Sequence, residues 1–198
     1  MVDGQLSRKD RMNITTKTKW DLIPIHNMDV ATMPDAYEIS RRMKTLEIDW
    51  YVYAIIYKKS IIIKYGMSAD NSWNNGERLY RQIGHIQTWG DKVLTGSSGA
   101  DWLQTEIDFP KLHGTNIEHN HITLKVYDLT NYPFEGIDPR KEIESIESEL
   151  INNHIKIFGE KPIGNIHDEA NALNQPMIKK EVINNLFIDF PFKERKRA

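Results

Sequence analysis

The chain has 198 residues, no cysteine and a formal net charge of −2. Disulfides and thiolate metal sites are therefore excluded, the lack of disulfides fits a reducing cytoplasm, and the near-neutral balance argues against a protein that coats nucleic acid by charge alone. No apolar run approaches the ~20 residues that span a bilayer, and the N-terminus MVDGQLSRKDRM lacks the apolar stretch of a secretory signal.

Residues 1–33 carry little periodicity and read as an arm or irregular lead-in, rich in Lys and Arg at its start. Such basic ends, here and in the closing KERKRA, add salt-sensitive affinity for phosphates or are simply solvated termini. Residues 35–47 (DAYEISRRMKTLE) predict a short helix. Residues 49–57 (DWYVYAIIY) and 60–66 (SIIIKYG) are aromatic and β-branched runs of strand length, separated so closely that they read as an antiparallel hairpin. Asn74 or Asn75 caps a predicted helix through GERLYRQIGHIQTW, with Leu79, Ile83 and Ile86 as its buried stripe. Residues 90–118 read as irregular, with GSSG at 96–99 and a helical turn near 101–108. A third strand is expected at 121–129 (HITLKVYDL). Asp138-Pro139 opens a long helix over 139–158, which Gly159 ends. A turn at 161–165 (KPIGN) and a short helix at 177–187 complete the chain.

Three local features carry chemistry. In the helix at 139–158, Ile143, Ile146, Leu150, Ile157 and Phe158 fall on one stripe, and Glu147 lies near its middle while Glu142 and Glu149 point away. A carboxylate in such a place is costly unless it is paired or binds a cation. The common outcome is a structural salt bridge; a metal ligand is the sharper one. In the hairpin, Lys64 interrupts a strand of isoleucines. A two-residue turn at 58–59 would pair Tyr53 with Lys64, a phenol beside an ammonium suited to proton transfer, whereas a three-residue turn would pair Tyr53 with Tyr65. In the next helix, Arg78, Arg81, Gln82 and His85 share a ridge that suits an anion such as a phosphodiester, or else forms an ordinary polar face.

The order of these features resembles the GIY-YIG nuclease family. VYAIIY (52–57) stands at the GIY strand, KYG (64–66) at YIG, ERLYRQIGH (77–85) at the arginine helix, and ESELINNHIKIFGEKPIGN (147–165) at the glutamate helix and closing asparagine. The likeness covers roughly 48–165. It departs from the pattern in retaining only the tyrosine of GIY, as Tyr53, and in carrying Lys64 for the first tyrosine of YIG, as in the restriction-enzyme branch.

The resemblance implies an α+β fold with a small central three-stranded antiparallel sheet flanked by helices. It places an N-terminal arm and short helix at 1–47, the nuclease domain at 48–165 with an insert at 86–120, and a C-terminal helix and basic tail at 166–198. It implies hydrolysis of double-stranded DNA with one divalent cation, Mg²⁺ or in its place Mn²⁺, held by Glu147. Tyr53, helped by Lys64 or replaced by Tyr65, would take the proton of the attacking water. Arg78 would stabilise the phosphoryl charge, with Arg81 as the alternative, and His85 would orient the phosphate. Asn165 would hydrogen-bond Tyr53 or a nearby backbone group. The insert, with Trp89, Lys92, Ser97, Ser98 and Trp102, is the expected groove reader. A restriction or phage-type enzyme in the cytoplasm of a bacterial or infected cell follows, with a homodimer left open. A structure-directed repair nuclease, a DNA-binding module without activity and an unrelated small α+β protein are the alternatives.

Overall fold

A computed structural model describes residues 23–35, 37–69, 79, 83, 97–135 and 138–165, with the backbone alone at 97–104 and 119. The fold is α+β: strands β1 (Ile25–Asp29), β2 (Tyr51–Tyr57), β3 (Ile61–Ser68) and β4 (Ile122–Asp128), with helices α1 (Tyr37–Thr45), α2 (Ser97–His113) and α3 (Pro139–Phe158). The strands form one antiparallel sheet in the order β1-β4-β2-β3. The sheet has four strands where the sequence suggests three. The added strand, IHNMD, pairs along β4 through its backbone and buries Met28 alone, so it carries no apolar alternation to be read.

β2 is buried at all seven positions because it is central and covered on both faces, which explains its unbroken apolar run. Its odd-numbered residues, Tyr51, Tyr53, Ile55 and Tyr57, enter a core with Met28, Val30, Ile39, Met43, Phe109, Leu124 and Val126, and with Leu79 and Ile83 of the following segment. Both of those last two residues are helical and fully buried, as the predicted stripe requires. Residues 23–47 thus add a strand and a helix to the same core as the hairpin. The even-numbered residues, Val52, Ala54 and Ile56, enter a second core with Tyr65, Met67, Tyr127 and the α3 residues Ile143, Ile146, Leu150 and Ile151.

α2 corrects the expectation of an irregular stretch at 90–118. It runs for 17 residues and places Thr105 and Phe109, four apart, in the interior. Pro110 lies inside it and removes one helical N–H, a breaker signal that hides the helix in the sequence. α3 spans the predicted 139–158. Asp138 accepts from the Arg140 N–H at 3.1 Å, and Gly159 closes the helix in the left-handed conformation. No described helix is long and apolar enough to cross a membrane. The predicted helix at 177–187, the basic tail and residues 1–22 lie outside the described residues.

Candidate functional site

The hairpin register decides which side chains meet. The chain reverses through Lys58 and Lys59, both left-handed, with the Ser60 N–H on the Tyr57 carbonyl. Tyr57 then pairs with Ile61 and Ile56 with Ile62. A bulge follows, after which Ile55 pairs with Lys64, Ala54 with Tyr65 and Tyr53 with Gly66. Neither expected pairing of Tyr53, with Lys64 or with Tyr65, occurs, because a three-residue connection and the extra bulge residue shift β3 by two positions from the tight-turn register. Face parity survives the shift. Lys64 stands opposite Ile55 and Gly66 opposite Tyr53, so Tyr53 and Lys64 share a face as diagonal neighbours.

Gly66 is where the Tyr53 ring rests. A Cβ built there would overlap the ring's Cζ and hydroxyl oxygen and lie 2.8 Å from Cε1. The glycine of the KYG triplet is therefore required by the ring above it. Tyr51, two residues back on the same face, packs its ring 6.1 Å from that of Tyr53.

The segment after α3 locks the same strand from its outer edge. The Gly164 N–H donates to the Ile63 carbonyl at 2.8 Å. Asn165 Oδ1 accepts the Tyr65 N–H at 2.9 Å and Nδ2 donates to the Tyr65 carbonyl at 3.0 Å. Three backbone groups on an edge strand are thereby satisfied, which also blocks pairing with another chain there. A Cβ at Gly164 would lie 3.0 Å from the Ile63 carbonyl oxygen and 3.1 Å from Lys64 Cβ. The turn thus passes directly against the Lys64 stem. The sequence expects Asn165 to bond Tyr53 or a neighbouring backbone group; its described bonds go to the backbone of Tyr65, next to Lys64.

Tyr65 faces the other way, into the core under α3, with the His154 ring centroid 6.4 Å away. His154 Nδ1 lies 2.8 Å from the Glu160 carbonyl oxygen, fixing that ring as α3 ends. Burial, with a smaller contribution from Tyr127, pushes the Tyr65 phenol well above its ordinary value. It stays protonated at neutral pH and is placed away from Tyr53.

Glu147 is buried at 9% exposure in the inward stripe of α3, as its helical position predicts. α3 covers the Tyr65 face, so Glu147 approaches the sheet from the side opposite Tyr53. β3 is an edge strand, so a site that uses both groups would have to form round that edge. Arg78, Arg81, His85, Trp89 and Lys92 lie outside the described residues, and Ser97, Ser98 and Trp102 are described only as backbone positions in the first turns of α2.

The residues missed in the sequence are Gly164 and Lys125. Gly164 sits beside a residue already chosen, but its role is a close approach that no spacing reveals. Lys125 is 5% exposed on the face under α3, with its Nζ 5.6 Å from the Tyr127 ring centroid. A lysine between Leu124 and Val126 is a visible anomaly of the same kind as Lys64.

Comparison of the chain with protein-family models, with curated proteins and with solved structures gives no match.

Proposed function

We propose that this chain is a metal-dependent endonuclease of the GIY-YIG type that hydrolyses phosphodiester bonds of double-stranded DNA, as a restriction or phage-type enzyme. The observation that carries the reading is the seat of Tyr53 on Gly66, with Lys64 on the same face and the Gly164-Asn165 turn bonded to that strand. Tyr53 and Asn165, 112 positions apart in the sequence, both contact the short stretch of β3 that carries Lys64.

Among the described residues there is no group of three or more His, Asp or Glu that could cage a metal ion. The described residues therefore offer no dedicated protein cage. A single inward carboxylate does fit Mg²⁺, which takes one or two carboxylates, waters and the phosphates of its substrate. Glu147 would hold the cation, which would supply neutralisation of charge at the phosphoryl oxygens. Tyr53 takes the proton of the attacking water, its ring fixed by Gly66. The ammonium of Lys64, diagonal to it, favours the phenolate that this role needs. Arg78, with Arg81 and His85, completes the anion site in this reading.

Incubation with a long linear duplex tests the activity. Cleavage with Mg²⁺ and none with EDTA is the expected result. Discrete fragments indicate a recognition sequence, and cutting confined to branched or looped DNA indicates the structure-directed form. If both substrates remain intact but bound, the chain is a DNA-binding module and the enzymatic reading fails.

The two tyrosines are expected to separate cleanly. Loss of a general base typically costs ~10²–10⁴ in rate, so Tyr53→Phe lowers single-turnover cleavage by that order. Tyr65→Phe stays within a few-fold, because its phenol is buried on the far face and held neutral. A larger effect at Tyr65 would reverse the assignment.

A further inference from the structure

The C-terminal ends of α2 and α3 meet the hairpin at a cleft of about 320 Å³. Ile61, Ile62 and Ile163 line it with apolar surface, and Leu112, 45% exposed, forms part of its wall. Three rings line it as well: His113, the last residue of α2, with His154 and Phe158 at the end of α3. The two imidazoles are held alike. His113 lies against Phe109 and His154 against Phe158, each four residues apart on its helix, at 4.4 Å between centroids and 42° between planes. Ligand pockets run from ~300 to ~1,000 Å³. This one stands at the small end, so it takes a single ring system.

Its rim is basic. Lys161 lines the cleft on one side, and on another Ser60 follows directly on Lys58 and Lys59. Both of those lysines are exposed and left-handed, with φ of 47° and 59°. Residues with a Cβ are disfavoured there, and a tight turn of this hand ordinarily takes Asn-Gly. The strain is kept at a turn that presents two adjacent ammoniums, and such strain gathers where side chains have work to do. The Lys58 Nζ lies 5.2 Å from the Tyr57 ring centroid, and that ring packs edge-on against Phe109, so the tip stands beside α2. Glu160 is the one acid among the described lining residues. An apolar, ring-lined cleft with ammoniums at its rim fits an aromatic ring carried on a phosphate chain, which is a nucleotide of a DNA strand.

The cleft also adjoins the candidate site. The turn at 160–163 that lines it runs into Gly164 and Asn165, which bond Ile63 and Tyr65 on either side of Lys64. From Ile61 or Ile62 to Lys64 is two or three strand residues, roughly 7–10 Å, which equals two or three nucleotides at ~3.4 Å each.

We propose that this cleft is a base pocket, taking one extruded nucleobase of the bound DNA two or three nucleotides from the phosphate under attack, with flanking phosphates on Lys58 and Lys59. The pocket rests on the reading of the chain as a DNA enzyme and names how its substrate is held. A base already unpaired enters most readily, because no pairing has to be broken.

Fluorescence anisotropy with the full chain in EDTA tests it on three labelled duplexes: fully paired, carrying one unpaired base, and carrying the same bulge without its base. The unpaired base should be bound roughly tenfold tighter than the paired duplex, and the abasic bulge should lose that gain. Leu112→Trp, at an exposed position of the wall, fills the cleft, and Ser60→Trp narrows it from the hairpin side. Each should erase the preference and leave paired-duplex affinity within about twofold; if only one of them folds, that one decides. Lys59→Ala should weaken all three complexes and lower the salt dependence by about one counter-ion. Equal affinity for the base and abasic bulges shows that DNA flexibility is recognised and overturns the pocket. A preference retained by the tryptophan variants, or no binding to any probe, overturns it too. Because EDTA prevents metal-dependent cutting, a base preference in a chain that cuts no DNA with Mg²⁺ leaves the pocket standing and removes the nuclease reading alone.

Discussion

Glu147→Gln is expected to abolish cleavage while the protein still binds duplex DNA. Glutamine keeps the size of the side chain and removes the charge, so the α3 interface keeps its shape and loses its hold on a cation. Transition-state stabilisation by a metal amounts to several kcal/mol, so the rate should fall on the order of 10³-fold or more. Two controls separate charge in general from this charge in particular. Glu142 is half-buried and accepts from the Glu135 N–H at 3.3 Å, and Glu149 is half-buried on the outer flank of α3. Glutamine at either should leave cleavage within a few-fold. Near wild-type cutting by Glu147→Gln would remove Glu147 from the site.

The second large effect is expected at a residue with no chemistry of its own. Gly66→Ala adds one methyl group, and that methyl meets the Tyr53 ring at Cζ, Oη and Cε1. Tyr53 is fully buried between β2's neighbours and the core that includes Leu79 and Ile83, so the ring has little room to tilt. Overpacking of this kind costs typically 1–3 kcal/mol. The loss in activity should exceed the loss in stability, because a reacting group moved by about 1 Å can cost ~10² in rate. Single-turnover cleavage measured beside thermal unfolding distinguishes the two. If Gly66→Ala cuts normally at an unchanged melting temperature, the ring's rest position has no bearing on turnover. The contrast with Gly164→Ala is informative, since that methyl would press on the Ile63 carbonyl and the Lys64 stem instead of the Tyr53 ring.

Much of the architecture is written locally. The apolar and aromatic run at 51–57, the isoleucines at 61–63, the Asp-Pro entry and glycine exit of α3, and the burial of Leu79, Ile83 and Glu147 all follow from periodicity and capping. These features were legible because each depends on residues within one or two turns or a few strand positions. β1 was not legible, because an edge strand held by backbone hydrogen bonds needs only one buried side chain, Met28. α2 was obscured by Pro110 and by an apolar stripe too sparse to stand out.

The site divides in the same way. Sequence alone singled out Tyr53, Lys64, Glu147 and Asn165, since a lysine among isoleucines and a glutamate on an apolar stripe are anomalies wherever they fall. It left open whether Tyr53 shares a face with Lys64 or with Tyr65, since one residue of turn length inverts the parity of the strand. Tertiary structure alone decided that Tyr53 lies over Gly66 with Lys64 on the same face, because the three-residue connection and a bulge between Ile62 and Lys64 together shift the register by two. It decided that Asn165 clamps the backbone of Tyr65 across a separation of a hundred residues. It also decided that α3 lies on the face opposite Tyr53, over Lys125. Hairpin register, loop closure and the side on which a helix docks are set by which long-range packing buries the most surface, and no local pattern encodes that choice.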